Sequence, residues 1–190
     1  MSFLGPTDPL ALRPRRVLVA GVAGAGKTTL AGRIGASLGI PHIEIDALFH
    51  GPNWTPRPEF RADVEAFSSA AEWVTEWQYS MVRPLLLTRC DLLVWLDLPV
   101  PQALAQVTLR TLRRRMSGTP LWNGNVEPPL RAFFTDREHI VRWAWDTRHK
   151  ARRLVYAART ERRDLPIVQL TSHRQSRRWL TEVLAPAREV

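Results

Sequence analysis

The sequence predicts an α/β fold in which a five-stranded parallel sheet carries helices on both faces. Three observations support this. Strand-like and helix-like segments alternate along the chain. The fourth strand-like segment is continuously apolar through LLVWL, as a strand buried on both faces should be, and the first runs through a glycine-rich turn into a helix. In order, RVLVAG (Arg16 to Gly21) has the short apolar run of a strand buried on both faces. A helix follows from about Lys27 to Ser37 and is closed by Gly39, because glycine accepts the left-handed conformation that ends helices. IPHIEID (Ile40 to Asp46) reads as the second strand, with Glu44 and Asp46 at alternate positions and so on one face. A loop rich in Pro, Gly and Trp, FHGPNWTPRPEF, leads into a helix through RADVEAFSSAAE. EWVTEW (Glu72 to Trp77) is the third strand, VRPLLLTR a short helix, and DLLVWLDLP (Asp91 to Pro99) the fourth strand. A helix is expected from Pro101 to about Met116, and SGTPLWNGNVEPP (Ser117 to Pro129) breaks it. Helical pattern returns from Leu130 to Arg163, LPIVQL (Leu165 to Leu170) is the fifth strand, and RQSRRWLTEVL the closing helix. No repeat or linker divides the chain, so residues 16–190 are expected to form one domain behind a flexible N-terminal arm, residues 1–15.

A length of 190 residues with 45% hydrophobic and 24% charged content is enough for a full core. Cys90 is the only cysteine, which excludes an intrachain disulfide and a thiolate metal site and points to a reducing, cytoplasmic setting. No histidine pair has metal-ligand spacing, and no G-x-S-x-G elbow is present. No segment approaches the roughly 18 apolar residues of a membrane span, so no membrane partner is expected. The opening MSFLGPTDPLALRPRR has proline where a signal peptide has its apolar run. A formal net charge of +9 points to a polyanionic partner, either nucleic acid or a phosphate-rich small molecule, the alternative being an arginine-rich composition that simply coats the helices.

GVAGAGKT, Gly21 to Thr28, satisfies G-x-x-x-x-G-K-[ST] and sits between a strand and a helix, where this motif holds nucleotide phosphates. Glycines let backbone N–H groups turn inward, and the helix start adds partial positive charge. Gly21, Ala23, Gly24, Ala25, Gly26, Lys27, Thr28 and Thr29 are the expected nucleotide-binding positions. Lys27 reaches the outer phosphates, and the Thr28 hydroxyl ligates Mg²⁺.

GVAGAGKTT, HIEIDALFHGPNW, EWVTEWQYS, DLLVWLDLP, RTLRRR, LWNGNVE and IVQLTSHRQSRRWL together resemble the adenylate-kinase-like and shikimate-kinase-like P-loop proteins. The resemblance is strongest to a small bacterial subgroup labelled topology-modulation proteins, and it spans about Arg16 to Leu184. It implies a three-layer P-loop fold, an acceptor-binding region after the second strand, ATP with Mg²⁺ as cofactors, and a mobile arginine-bearing lid over about residues 110–150. Asp46 then orients the acceptor hydroxyl or takes its proton, with a helix-capping role as the alternative. His50, one turn further on, is a secondary candidate for the same pocket. Glu44 and Glu76 are alternative supports for Mg²⁺. Trp77 stands where related kinases carry a small residue, so an indole wall for the acceptor is expected there. Asp97 resembles a Walker B aspartate locally but falls one strand late, which favours a structural task.

Arg110, Arg113 and Arg114 share one helix face, and Arg110 and Arg114 are the expected charge stabilisers of phosphoryl transfer, with Arg148 third. Ser172, His173 and Arg174 are expected beside the base, and Arg57 and Arg61 beside an acceptor phosphate or carboxylate. The function these residues point to is transfer of the γ-phosphoryl of Mg·ATP to a hydroxyl or phosphate of a small molecule, by a monomer or homodimer. The alternative is a nucleic-acid-associated P-loop protein with nucleotide as regulator. It has the net charge in its favour but shows no recognition module.

Overall fold

The computed structural model describes residues 3–117, 122–125 and 149–188, the side chains of 114–117 and 188 excepted. Most of the segment expected to form a lid, Arg148 included, lies outside the described residues. The strands are β1 (Arg16–Gly21), β2 (His42–Ile43), β3 (Trp73–Glu76), β4 (Leu92–Leu96) and β5 (Ile167–Leu170). The helices are α1 (Lys27–Leu38), α2 (Ile45–Phe49), α3 (Phe60–Ser68), α4 (Arg83–Arg89), α5 (Val100–Ser117), α6 (Lys150–Glu161) and α7 (His173–Trp179). A π-helical turn at Leu180–Leu184 continues α7.

All pairings within the sheet are parallel and the order is β2-β3-β1-β4-β5. β1 is therefore central, and the loop after it opens at the middle of the sheet's carboxyl edge, where open α/β sheets bind ligands. The alternation of the strands sorts their side chains into two cores. Val17, Val19, Val94 and Val168 face α1 and the C-terminal segment, packing on Ile34, Leu38, Trp179 and Leu184. Leu18, Leu93, Trp95 and Ile167 face the opposite layer, meeting Phe60 of α3, Leu86 of α4 and Val155 of α6. Each such side chain contributes roughly 1.5–3 kcal/mol by leaving water. The result is a three-layer α/β P-loop fold, as the sequence predicts. Cys90 is sealed in the second core, and burial pushes its thiol up to about 12.

Two expectations are corrected. The second strand stops at Ile43 instead of reaching Asp46, because only His42 and Ile43 pair with β3 and the chain then coils into α2. The N-terminal arm, expected loose, is held at its start. Leu4 N–H donates to the Ile167 carbonyl at 2.9 Å, and Gln169 N–H donates to the Leu4 carbonyl at 2.8 Å, so Leu4 covers the free edge of β5. The Phe3 ring meets Trp95 and Tyr156 edge-on at 5.5 and 5.3 Å, under the Arg159 guanidinium at 4.6 Å. Leu4→Pro removes the donor and the pairing, and is expected to lower the unfolding free energy by about 1–3 kcal/mol in urea titrations.

Candidate active site

Helix α1 begins on Gly26, whose φ of 85° is the left-handed conformation, and no side chain caps its first turn. No acidic residue stands in that turn either. Its leading amide groups thus have no capping side chain among the described residues, which is how a phosphate-binding helix start differs from an ordinary one. Gly24, with φ 80°, is required for a second reason: an added Cβ would lie 2.3 Å from the Ala103 carbonyl oxygen and 2.9 Å from Val107 Cβ. Backbone of α5 therefore presses directly on the loop. The Lys27 ammonium folds back to donate to the Val22 carbonyl at 3.1 Å, a neutral acceptor that a phosphate oxygen outcompetes. Burial lowers the Lys27 pKa, Asp46 and Glu76 oppose that, and Arg110 adds to it. All three side chains thus share one electrostatic neighbourhood with the loop. The Thr28 hydroxyl has no hydrogen-bond partner among the described residues, which suits it to a Mg²⁺ ion that keeps water and phosphate oxygens for its other positions. Among the described residues no cluster of three or more His, Cys, Asp or Glu is arranged to hold a metal by itself.

Asp46 lies in the first turn of α2, not on a strand, and Glu44 is the residue preceding that helix. Two residues apart at a helix start, the two carboxylates diverge instead of sharing a face. Asp46 Oδ1 accepts from Gln78 Nε2 at 3.1 Å and from the Tyr79 hydroxyl at 2.7 Å, and Oδ2 has no hydrogen-bond partner among the described residues. Glu44 Oε2 instead accepts from Trp122 Nε1 at 2.8 Å. Glu76, the other expected support for Mg²⁺, has both oxygens hydrogen-bonded within the fold. Oε1 meets His42 Nε2 and Oε2 accepts from Ile45 N–H, each at 3.2 Å. Burial raises the Glu76 pKa, but these hydrogen bonds outweigh burial and hold the carboxyl below its ordinary 4.5.

Tyr79 and Gln78 are the residues that the sequence reading passed over. Tyr79 has φ +56°, a conformation costing a bulky residue about 1–3 kcal/mol. That backbone turn stacks its ring on Phe49 at 4.1 Å and aims its hydroxyl at Asp46, with His50 Nε2 3.2 Å from the same oxygen. The only hint in the sequence was position: residues just after β3 end at the edge where β1 delivers the loop.

Arg110 and Arg113 are exposed on α5, whereas the side chain of Arg114 lies outside the described residues. Arg57 is committed to Asp63 at 3.0 Å and to the Leu48 carbonyl at 3.2 Å, so it is not free for an acceptor, and Arg61 is exposed on α3. Trp77 is core rather than wall, 8% exposed, with its indole N–H donating to the Arg83 carbonyl at 3.1 Å. Asp97 ties β5 to α6, accepting from Gln169 at 2.8 Å and Arg152 at 2.9 Å. Ser172 caps α7. His173 accepts from the Gln106 amide at 2.7 Å and stands beside Gly26 of the loop, while Arg174 is exposed and lines a surface groove with Pro6 and Arg177.

The sheet order and the glycine-rich loop between β1 and α1 define a P-loop protein of the shikimate-kinase-like fold. A shikimate kinase from Acinetobacter baumannii in complex with shikimate shares it with a TM-score of 0.54 and 16% identity, over 90% of this chain and 90% of that one. A shikimate kinase from Aquifex aeolicus vf5 does so at 0.50 and 12%, over 88% and 92%. At these identities the likeness establishes the fold. No family model matches the sequence, and no curated protein matches it.

Two outcomes follow from this geometry. Gly24→Ala is expected to weaken Mg·ATP binding by tenfold or more in calorimetry, because the new methyl group must displace either the loop or α5. Glu76 has a depressed folded-state pKa, so its contribution is present above 4.5 and is lost as pH falls through its lower folded value. Urea midpoints measured from pH 7 to pH 3 are expected to fall at the acid end. Glu76→Gln is expected to flatten that fall and to cost about 1–3 kcal/mol at pH 7.

Proposed function

We propose that the protein is a phosphotransferase that moves the γ-phosphoryl of Mg·ATP to a hydroxyl or phosphate of a small molecule held beside Asp46. The observation carrying this reading is that the glycine-rich loop leaves β1 beside the end of β3, where Gln78 and Tyr79 hold the Asp46 carboxylate. One side is built for a polyphosphate, the other presents a carboxylate whose Oδ2 has no hydrogen-bond partner among the described residues. Hydrolases and switches need the first part; a kinase needs both.

The chain's own groups divide the work. The loop amides from Gly21 to Thr29 bind the phosphates, Lys27 neutralises the outer ones, and the Thr28 hydroxyl would hold Mg²⁺, which when bound screens the charge between phosphate oxygens. Asp46 Oδ2 orients the acceptor hydroxyl and takes its proton as the oxygen attacks. Arg110 and Arg114 on α5 supply positive charge over the transferring group, and Arg174 borders the base. Phosphoryl transfer through a loose transition state asks for positioning and charge rather than covalent chemistry, which this set provides. Among the described residues no helix is long and apolar enough to cross a membrane.

Lys27→Ala is expected to reduce Mg·ATP affinity at least tenfold by calorimetry. Asp46→Asn is expected to keep that affinity within about twofold while lowering ADP release by about a hundredfold. A panel of hydroxylated and phosphorylated metabolites, scored by ADP release, finds the acceptor. Equal losses of affinity and turnover in Asp46→Asn make it a scaffold residue. Micromolar nucleic-acid binding at physiological salt, with no acceptor raising ADP release, favours the regulatory alternative.

A further inference from the structure

Two short turns distant in sequence are folded alike and interlocked. Pro52–Trp54 and Trp122–Gly124 each carry an asparagine in the left-handed region, Asn53 at φ 56°, ψ 34° and Asn123 at φ 56°, ψ 33°. Asn125 joins them. Its amide donates to the Gly51 carbonyl at 2.9 Å and to the Trp122 carbonyl at 2.8 Å, and its oxygen accepts from Trp54 N–H at 2.9 Å. Asn125 is 4% exposed with its carboxamide fully used, the condition under which a buried polar group specifies one arrangement. Asn123 donates to the His50 carbonyl, and the Trp122 indole lies parallel to the His50 ring at 6.1 Å while its N–H reaches Glu44.

His50 in turn leads to Asp46. The Tyr79 hydroxyl has one proton, and at 2.7 Å it gives that proton to the Asp46 carboxylate. The hydroxyl oxygen must then accept from His50 Nε2–H, while Nδ1 is buried with no hydrogen-bond partner among the described residues. A chain of oriented groups therefore runs from Asn125 and Trp122 through His50 and Tyr79 to the carboxylate.

We propose that the Trp122–Asn125 turn is a clamp which, seated on the Gly51–Trp54 turn, fixes His50 and through it makes His50 and Tyr79 positioning residues for Asp46. The claim rests on the phosphotransfer reading for what Asp46 does, but not for whether the clamp is seated. It adds to that reading a determinant of turnover located on the far turn, outside the loop and outside α5. It also gives Glu44 a task as acceptor for the clamp rather than as metal support.

The full-length chain labelled with 5-fluorotryptophan tests seating, the Trp122 signal being assigned by its loss in Trp122→Phe. Asn125→Ala and His50→Ala are each expected to move that signal toward its position in urea; a signal unmoved in both overturns the proposal. Turnover is read with Mg·ATP and water as the acceptor, in single-turnover experiments with excess protein. Tyr79→Phe keeps the ring stack and is expected to slow hydrolysis roughly tenfold with calorimetric Mg·ATP affinity unchanged. His50→Gln, which retains an N–H donor, is expected to remain within about threefold of the unmodified protein where His50→Ala does not. Asn125→Ala combined with Tyr79→Phe is expected to lose no more than Tyr79→Phe alone, because both break one chain. Full-rate Tyr79→Phe, or faster hydrolysis in Asn125→Ala, overturns the positioning role and leaves the turn a mere water-excluding cover. If the unmodified protein binds no Mg·ATP, the phosphotransfer reading fails separately, and the fluorine signal alone then decides the clamp.

Discussion

An α-helix whose first amide groups have no capping side chain is an energetic debt, and this fold places one at its centre. Helix α1 starts on a left-handed glycine, has no capping side chain and no acid in its first turn, and points its start at the carboxyl edge of the sheet. Half-buried between water and the sheet, these amides suit an anion better than a neutral neighbour. The remaining architecture serves that requirement. β1 must be central so that neighbouring strands can deliver Asp46, Gln78 and Tyr79 opposite the loop, and α5 must pass close enough for Gly24 to meet its backbone.

The two cores explain why this arrangement holds its shape. Side chains of one strand alternate between them, so the sheet cannot slip by one residue without moving valines of β1 from under α1 to the other layer. That rigidity lets strain persist at the edge. A tyrosine in a left-handed conformation survives because its ring is pinned between Phe49 and Phe60 and its hydroxyl is held by Asp46.

Much of the fold could be read in advance, because apolar runs and glycines write strands and turns directly into the sequence. The start of α1 at Lys27 was legible for the same reason, since the glycine-rich spacing fixes where the turn ends. The stretch from Ile40 to Phe49 was not, because Ile43 and Ile45 suit a strand while Ile45, Leu48 and Phe49 suit a helix, and only pairing with β3 decides. Trp77 looked like a ligand wall because residue type says nothing about which way a strand's last side chain turns. Tyr79 was hidden because a left-handed tyrosine carries no signature. The Asn125 contacts were hidden because their partners lie roughly 70 residues away.

Leu4 pairs with residues roughly 160 positions later, at the other end of the sheet's construction order. That pairing closes one of the longest loops in the fold, so the segment holding Leu4 finds its place only after β5 has joined β4. Until then the outer margin of β5 stays open to any strand that meets it.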